Sequence, residues 1–422
     1  YSTRFTRAWV VQEVAVAGEC TVRISDNVYR WESLDLAVIG LAAATKRAQN
    51  TLSGAPVLKT AAASAIRHIQ YCRETWTSKA AQTRRGDFLY LLGRLGPTMD
   101  CTDPRDRVYA YLSLQSQPRI LDADYALDVD AVFIKTSATL AAASRSLDIF
   151  AYTRYPNIGH DGGISRVPSW AIDWRSPSTM SGLHRSADLS FCASGSYTYN
   201  PPLDQRGPTL RVRGNIIDVV RCTSTRHEFP RTGGLFALMK CLDLPRILEM
   251  ASHIIWEDEE GHSSAPAASQ VALYHRIVKV LLCYDRQLDD ADGKWDEQLE
   301  SALDVSKMHG SGQHGYGDEL RESEKLGKPS EALLRRFTSK TNRTSIRALY
   351  ITERKRLLGL SPPLTRAGDL VCIIHGSRTP IILRESSERG QFHVIGQSYL
   401  EAWMHGEHIW WSEEEANVLE LS

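Results

Sequence analysis

The sequence predicts an α+β fold, and three observations carry the prediction. Apolar residues recur three and four apart through much of the first third, the spacing of helices that bury one face. From about 345 to 410 apolar and polar residues alternate between Gly, Pro and Ser turns, as antiparallel strands do. The middle carries Pro- and Trp-rich segments such as "VPSWAIDWRSP" (167–177) that hold no sustained period. The chain is therefore expected to divide at 1–115, at 116–330, a mixed helical region with irregular loops and linkers, and at 331–422, a β-rich C-terminal region.

The elements follow in order. A helix is expected from Arg7 to about Ala17, closed by Gly18 in a left-handed cap. "ECTVRIS" then reads as a strand, Asp26 and Asn27 as a turn, and "VYRW" as the hairpin partner. Ser33 is the expected N-cap of the next helix, and "AASAIRHIQYCRETW" and "RRGDFLYLLGRLG" continue the helical run. In "CTDPRDRVYAYLSL" (101–114), Asp103 and Pro104 supply the start of another helix, and a long one begins near Asp128. "TLRVRGNIIDVVRC" (209–222) has strand periodicity around Gly214. Two polar stretches, 257–269 and 308–330, read as surface loops or linkers. The strands from about Arg347 to Leu400 are expected to form one antiparallel unit, with Val371, Ile373, Ile382, Val394 and Ile395 facing its core.

Composition narrows the function. Lys plus Arg and Asp plus Glu are 50 each in 422 residues, so no global charge draws the chain to nucleic acid or to an anionic membrane. Two or three domains with real cores fit this length. The eight cysteines are scattered without a C-x-x-C pair, which points to a reducing, cytoplasmic setting. Apolar runs such as 34–45 and 271–284 are too short or too charged to span a bilayer.

Several charged and aromatic constellations are candidates for chemistry. His309 and His314 share a Gly/Ser loop, and His405 and His408 stand three apart, but neither pair has a third ligand, which argues against a metal site. No P-loop, H-E-x-x-H or G-x-S-x-G motif occurs. The cluster Asp103, Arg105, Asp106, Arg107 offers arginines to a phosphate or, as the spacing favours, a salt-bridge network at a helix start. Asp173 and Arg175, flanked by Trp170 and Trp174, read as an ion pair that satisfies a buried loop. In "FTRAWVVQEV" (5–14) Glu13 lies one helical turn beyond Trp9, either as a partner for Arg4 or Arg7 or as a carboxylate held in a partly dry pocket.

Taken together, "FTRAWVVQEV", "DPRDRVYAYLSL", "DADYALDVDAVFIKTSATLA", "PSWAIDWRSP", "GDLVCIIHGSRTPIILRE" and "FHVIGQSYLEAWMHGE" resemble the successive signposts of fungal heterokaryon-incompatibility (HET) domain proteins, in order and over most of the chain. The resemblance implies a cell-death or allorecognition role in filamentous fungi and a HET domain distantly similar to TIR domains. The implied fold is a truncated TIR-like α/β remnant at 1–115, with a helical middle region and a C-terminal antiparallel β-rich unit. The implied partners are a second copy of the chain or another incompatibility-system protein, with no nucleic acid and no membrane span.

TIR domains that cleave NAD carry a W-C-x-x-E helix, and here Trp9 and Glu13 match the Trp and Glu, with Val10 in place of the Cys and Arg7 where Ser is preferred. The resemblance thus puts Glu13 forward as the catalytic residue and Trp9 and Arg7 as residues that bind NAD, a substrate here, with no cofactor and no metal. A carboxylate fixed beside the ribose would stabilise the oxocarbenium-like state of N-glycosidic cleavage. The chain opens at Tyr1 inside this expected helix, without the "ID-A-x-C-I-N-Q"-like half of a HET domain, so this stretch alone is expected to turn over weakly or not at all. The other reading is a noncatalytic interaction protein of the allorecognition system, in which Glu13 pairs with Arg4 or Arg7.

Overall fold

The computed structural model describes residues 3–51, 61–77, 88–96, 98–115, 119–156, 165–176, 183, 190–202, 208–224, 273, 276–277, 279–281, 283–284, 347–409, 411–412 and 414–422. Apart from one hairpin between the first two helices, helices come first and strands later, so the class is α+β. The chain forms two compact units, one of residues 1–144 and 152–179, the other of 145–151 and 180–422. This partition differs from the three segments expected from sequence, whose first boundary falls inside the first unit and whose second lies outside the described residues. The loops expected at 257–269 and 308–330 lie outside them as well.

The first unit begins with a single 3-10 turn, Thr3–Thr6, and helix α1, Ala8–Ala15. Val10, Val11, Val14 and Ala15 form the buried stripe of α1, which packs against α3, Ala61–Thr77. Gly18 does not close α1 in a left-handed turn. Arg73 of α3 reaches across instead, and its guanidinium donates to the carbonyls of Val14 (2.8 Å), Ala17 (2.5 Å) and Gly18 (3.0 Å). The Val14 carbonyl is an orphan acceptor of the helix end and the other two follow just beyond it, a place that suits a cation. Because the cap comes from 55 or more residues away, local spacing could not reveal it.

Strands β1, Thr21–Ile24, and β2, Asn27–Arg30, form the expected hairpin, but the turn is Ser25–Asp26, one residue earlier than read. Helix α2, Trp31–Thr51, starts before Ser33, because Trp31 is fully buried and its amide and indole donate to the Cys20 carbonyl and to Gln70. Helix α4 spans Phe88–Leu95, α5 is a single turn at Asp106–Tyr109, and α6 runs Val129–Ser144 with Asp128 capping the amide of Ala131 at 2.8 Å. The Trp-rich loop is structural, as the flanking indoles suggested. Trp170 and Trp174 are buried, and Asp173 accepts from Ser165, from the Arg175 amide and from the Arg175 guanidinium, which also reaches Asp130 at 2.7 Å.

Among the described residues the second unit holds a sheet of eight strands: β3 (Leu210–Thr223), β4 (Ala348–Thr352), β5 (Leu358–Ser361), β6 (Leu370–Ile374), β7 (Ile381–Glu385), β8 (Gln391–Gln397), β9 (Tyr399–Leu400) and β10 (Asn417–Leu421). Their order is β10-β8-β7-β6-β3-β4-β5-β9, and β10 pairs back onto β3. That pairing closes a ring of β3, β6, β7, β8 and β10. At the other end β9 follows β8 after one residue and pairs with β5. Closure leaves few open edges, which is the advantage of a barrel.

The antiparallel unit expected at 347–400 is present, with two additions. β3 from the middle of the chain is its longest strand, and β10 joins β8 in parallel. The five expected core residues are all buried, yet β4, β5 and β6 are buried at every position rather than at every second one. A sheet covered on both faces reads as a continuous apolar run, so alternation was the wrong template for these strands.

Candidate functional site

A cavity of about 860 Å³ opens in the first unit where α1 begins. Thr6, Arg7 and Trp9 line one side; Asp100, Cys101, Thr102, Asp103, Pro104, Arg105 and Asp106 line another; Val129 adds the first residue of α6. Backbone bonds fix the two walls to each other. The Ala8 amide donates to the Asp100 carbonyl at 2.9 Å, and the Asp100 amide donates to Thr6. Arg7 sits at the N-cap in an extended conformation and makes no side-chain cap bond.

The charged groups divide into committed and available ones. Arg105 is committed: it grips Asp103 at 2.7 Å and donates to the carbonyls of Tyr125 (2.7 Å) and Leu127 (2.9 Å). The Arg105 bonds hold the Asp103 carboxyl below its ordinary pKa. Asp106 accepts from the Tyr125 hydroxyl at 2.6 Å, and Arg107 donates to the Gly96 and Met99 carbonyls. The salt-bridge network favoured by the spacing is thus present only as the Asp103–Arg105 pair, while Asp106 and Arg107 bond a hydroxyl and backbone carbonyls instead. Arg7, by contrast, is exposed, and its guanidinium has no ion-pair or hydrogen-bond partner among the described residues. Burial pushes the Cys101 thiol above its ordinary pKa, so it is a poor nucleophile near neutrality.

Of the residues put forward from sequence, the structure brings two together and leaves the third apart. Arg7 and Trp9 line the cavity; Glu13 does not. The expectation that Glu13 lines a concavity with Trp9 is corrected here. The Glu13 side chain is 56% exposed, with its carboxylate 3.6 Å from the Arg4 guanidinium. The cause lies in α1 itself: Val10, Val11, Val14 and Ala15 claim the buried face, which leaves Trp9 half-buried and Glu13 on the solvent side.

Asp100, Cys101 and Thr102 are lining residues that sequence reasoning missed, and only their adjacency to the Asp103–Arg107 cluster could have suggested them. Of the histidines, His405 and His408 pack against the rings of Phe191 and Trp403, while His309 and His314 lie outside the described residues. Gly310, Gly312 and Gly315 have G-x-G-x-x-G spacing, which sequence reasoning also passed over; they too lie outside the described residues.

Comparison with known proteins points to the second unit. The model of the Het-6 beta-barrel domain matches residues 268–418. The match relates the chain to fungal heterokaryon-incompatibility proteins, in keeping with the resemblance read from the sequence. It covers the strands from β4 to β9 but begins after β3 and stops inside β10. No curated protein and no solved structure matches the chain. Among the described residues, no helix is long and apolar enough to cross a membrane.

Proposed function

We propose that the chain is a recognition protein of the heterokaryon-incompatibility system of filamentous fungi, with cell death as the output of recognition and no chemistry at Glu13. The observation that carries this reading is the Het-6 match over β4 to β9, which takes in β6, β7 and β8 of the closed ring. Its partner is another incompatibility-system protein or a second copy of the chain. The noncatalytic half of the reading rests on the placement of Glu13. A carboxylate 56% exposed and beside Arg4 is screened by water and by its partner, so it exerts little field on a developing ribosyl cation.

A second reading keeps one observation in its favour. Arg7 and Trp9, the two residues put forward for NAD, do share a cavity, and an unpaired guanidinium beside an indole suits an anionic, aromatic ligand. NAD cleavage would need Glu13 to turn toward that cavity. Nicotinamide release, followed by chromatography with the chain and its Glu13→Gln variant, tests whether these residues cleave NAD. The expected result is no release above buffer from either. Release that falls about a hundredfold or more in Glu13→Gln would restore Glu13 as the catalytic residue.

A further inference from the structure

The turn between β4 and β5, residues 353–357, reads Glu-Arg-Lys-Arg-Leu and is built with unusual firmness for a surface connection. Asp218, 2% exposed at a bulge of β3, accepts from the amides of Val219 (2.8 Å), Arg354 (3.0 Å) and Lys355 (2.7 Å). The Leu357 amide donates to Thr352 Oγ1 at 2.9 Å. Arg356 is held at φ +52°, a left-handed conformation that is costly for a residue with a Cβ. Strain of this kind persists where the surroundings over-determine it and is concentrated at ligand clamps.

The turn is also rich in uncompensated positive charge. Asp218 is spent on backbone amides; Glu353 pairs with Arg221 at 4.0 Å; Glu401 is engaged by Arg276 and by the Leu358 amide. Arg276, its charge met by Glu401, also donates to the Arg356 carbonyl at 3.4 Å. Arg354, Lys355 and Arg356 have no carboxylate partner among the described residues. Nη1 of Arg356 is buried with no hydrogen-bond acceptor, and a buried donor left unsatisfied is unfavourable. The Lys355 ammonium lies 5.8 Å from the Trp403 ring.

We propose that this turn is a binding site for the phosphate groups of a small phosphorylated ligand. Three adjacent cations in one tight turn match a compact multiple anion, and the guanidinium fork matches phosphate oxygens. An extended polyanion is a poorer fit, because the whole chain carries 50 basic and 50 acidic residues. The inference does not rest on the incompatibility reading, and its failure would leave that reading untouched.

The test is calorimetric titration of the whole chain with sodium pyrophosphate at fixed ionic strength. Saturable binding is expected, weakened about tenfold or more in the Arg354→Gln/Lys355→Gln double variant, since each charge-assisted bond removed is a substantial loss. Arg211→Gln, which changes an exposed cation paired with Glu420 elsewhere on the sheet, should bind as the unaltered chain does. Matching circular dichroism and melting curves show that both variants are folded. Co-sedimentation with vesicles containing a phosphoinositide assigns the source: variant-sensitive sedimentation identifies a lipid headgroup, and pyrophosphate binding without it identifies a soluble ligand. Absence of saturable binding, or equal weakening by the double variant and by Arg211→Gln, would overturn the proposal.

Discussion

Asp218 is an acid inside an apolar strand, and it acts by holding backbone rather than by chemistry. Burial raises its pKa, but the amides of Lys355, Arg354 and Val219 and the Thr352 side chain outweigh burial, so the net shift is downward. A carboxyl with a folded-state pKa below its unfolded value of about 3.9 adds stability above that pH. The contribution is lost as pH falls through the folded-state pKa. Acid unfolding should therefore be steeper for the unaltered chain than for Asp218→Asn below about pH 4. At neutral pH the same variant should cost about 1–3 kcal/mol in denaturant unfolding, because buried amide donors lose an acceptor. Equal acid profiles for the two proteins would show that Asp218 does not carry this linkage.

Legibility at the residue scale depended on how far away a side chain's partners lie. The Asp173–Arg175 and Asp103–Arg105 pairs could be read because both ends sit within a few positions of each other. Asp218 could not, since two of its donors are 136 and 137 positions on. Glu13 was half legible. Its pairing with Arg4 was one of two partners considered, but which flank of α1 meets solvent is decided by the packing of its valines on α3.

At the scale of elements, β3 is the strand on which the second unit depends. It pairs with β10 through Leu210–Gly214, with β6 through Gly214–Val219 and with β4 from Val220 on, bending at two register shifts. Gly214 stands where two of those pairings meet, opposite both Asn417 and Ile374. A Cβ there would fall 2.4 Å from the Ile373 carbonyl oxygen and 2.9 Å from Ile374 Cα. Both are backbone atoms, so the clash cannot be relieved by rotating a side chain. Gly214→Ala should destabilise the second unit by about 1–3 kcal/mol in denaturant unfolding, the usual cost of overpacking. No loss of stability would mean that β3 and β6 can separate there without penalty.

The strand period of 209–222 was legible, and so were the hairpins of 347–400, because turns joined by a few residues leave local marks. That β3 belongs with strands more than 120 residues later was not, since nothing local marks a long-range pairing. The extent of the ring was hidden for the same reason. Burial of β4, β5 and β6 on both faces likewise erased the alternation that normally separates inside from outside.

At the scale of the whole molecule, the chain joins a helical unit holding a polar cavity to a unit built on a closed ring of strands. The likeness to the Het-6 beta-barrel domain falls on the second unit, while the residues suggested for NAD chemistry fall in the first. These two locations make the role of Glu13 separable from recognition. The most direct test is expression of the chain and of Glu13→Gln in a filamentous fungus competent for cell fusion, with dye-permeable fusion cells counted against a panel of incompatibility genotypes. The expected result is cell death restricted to particular genotypes and equal for the two proteins. Loss of death in folded, equally abundant Glu13→Gln would contradict recognition without chemistry at Glu13, and death that ignored the partner's genotype would contradict recognition itself.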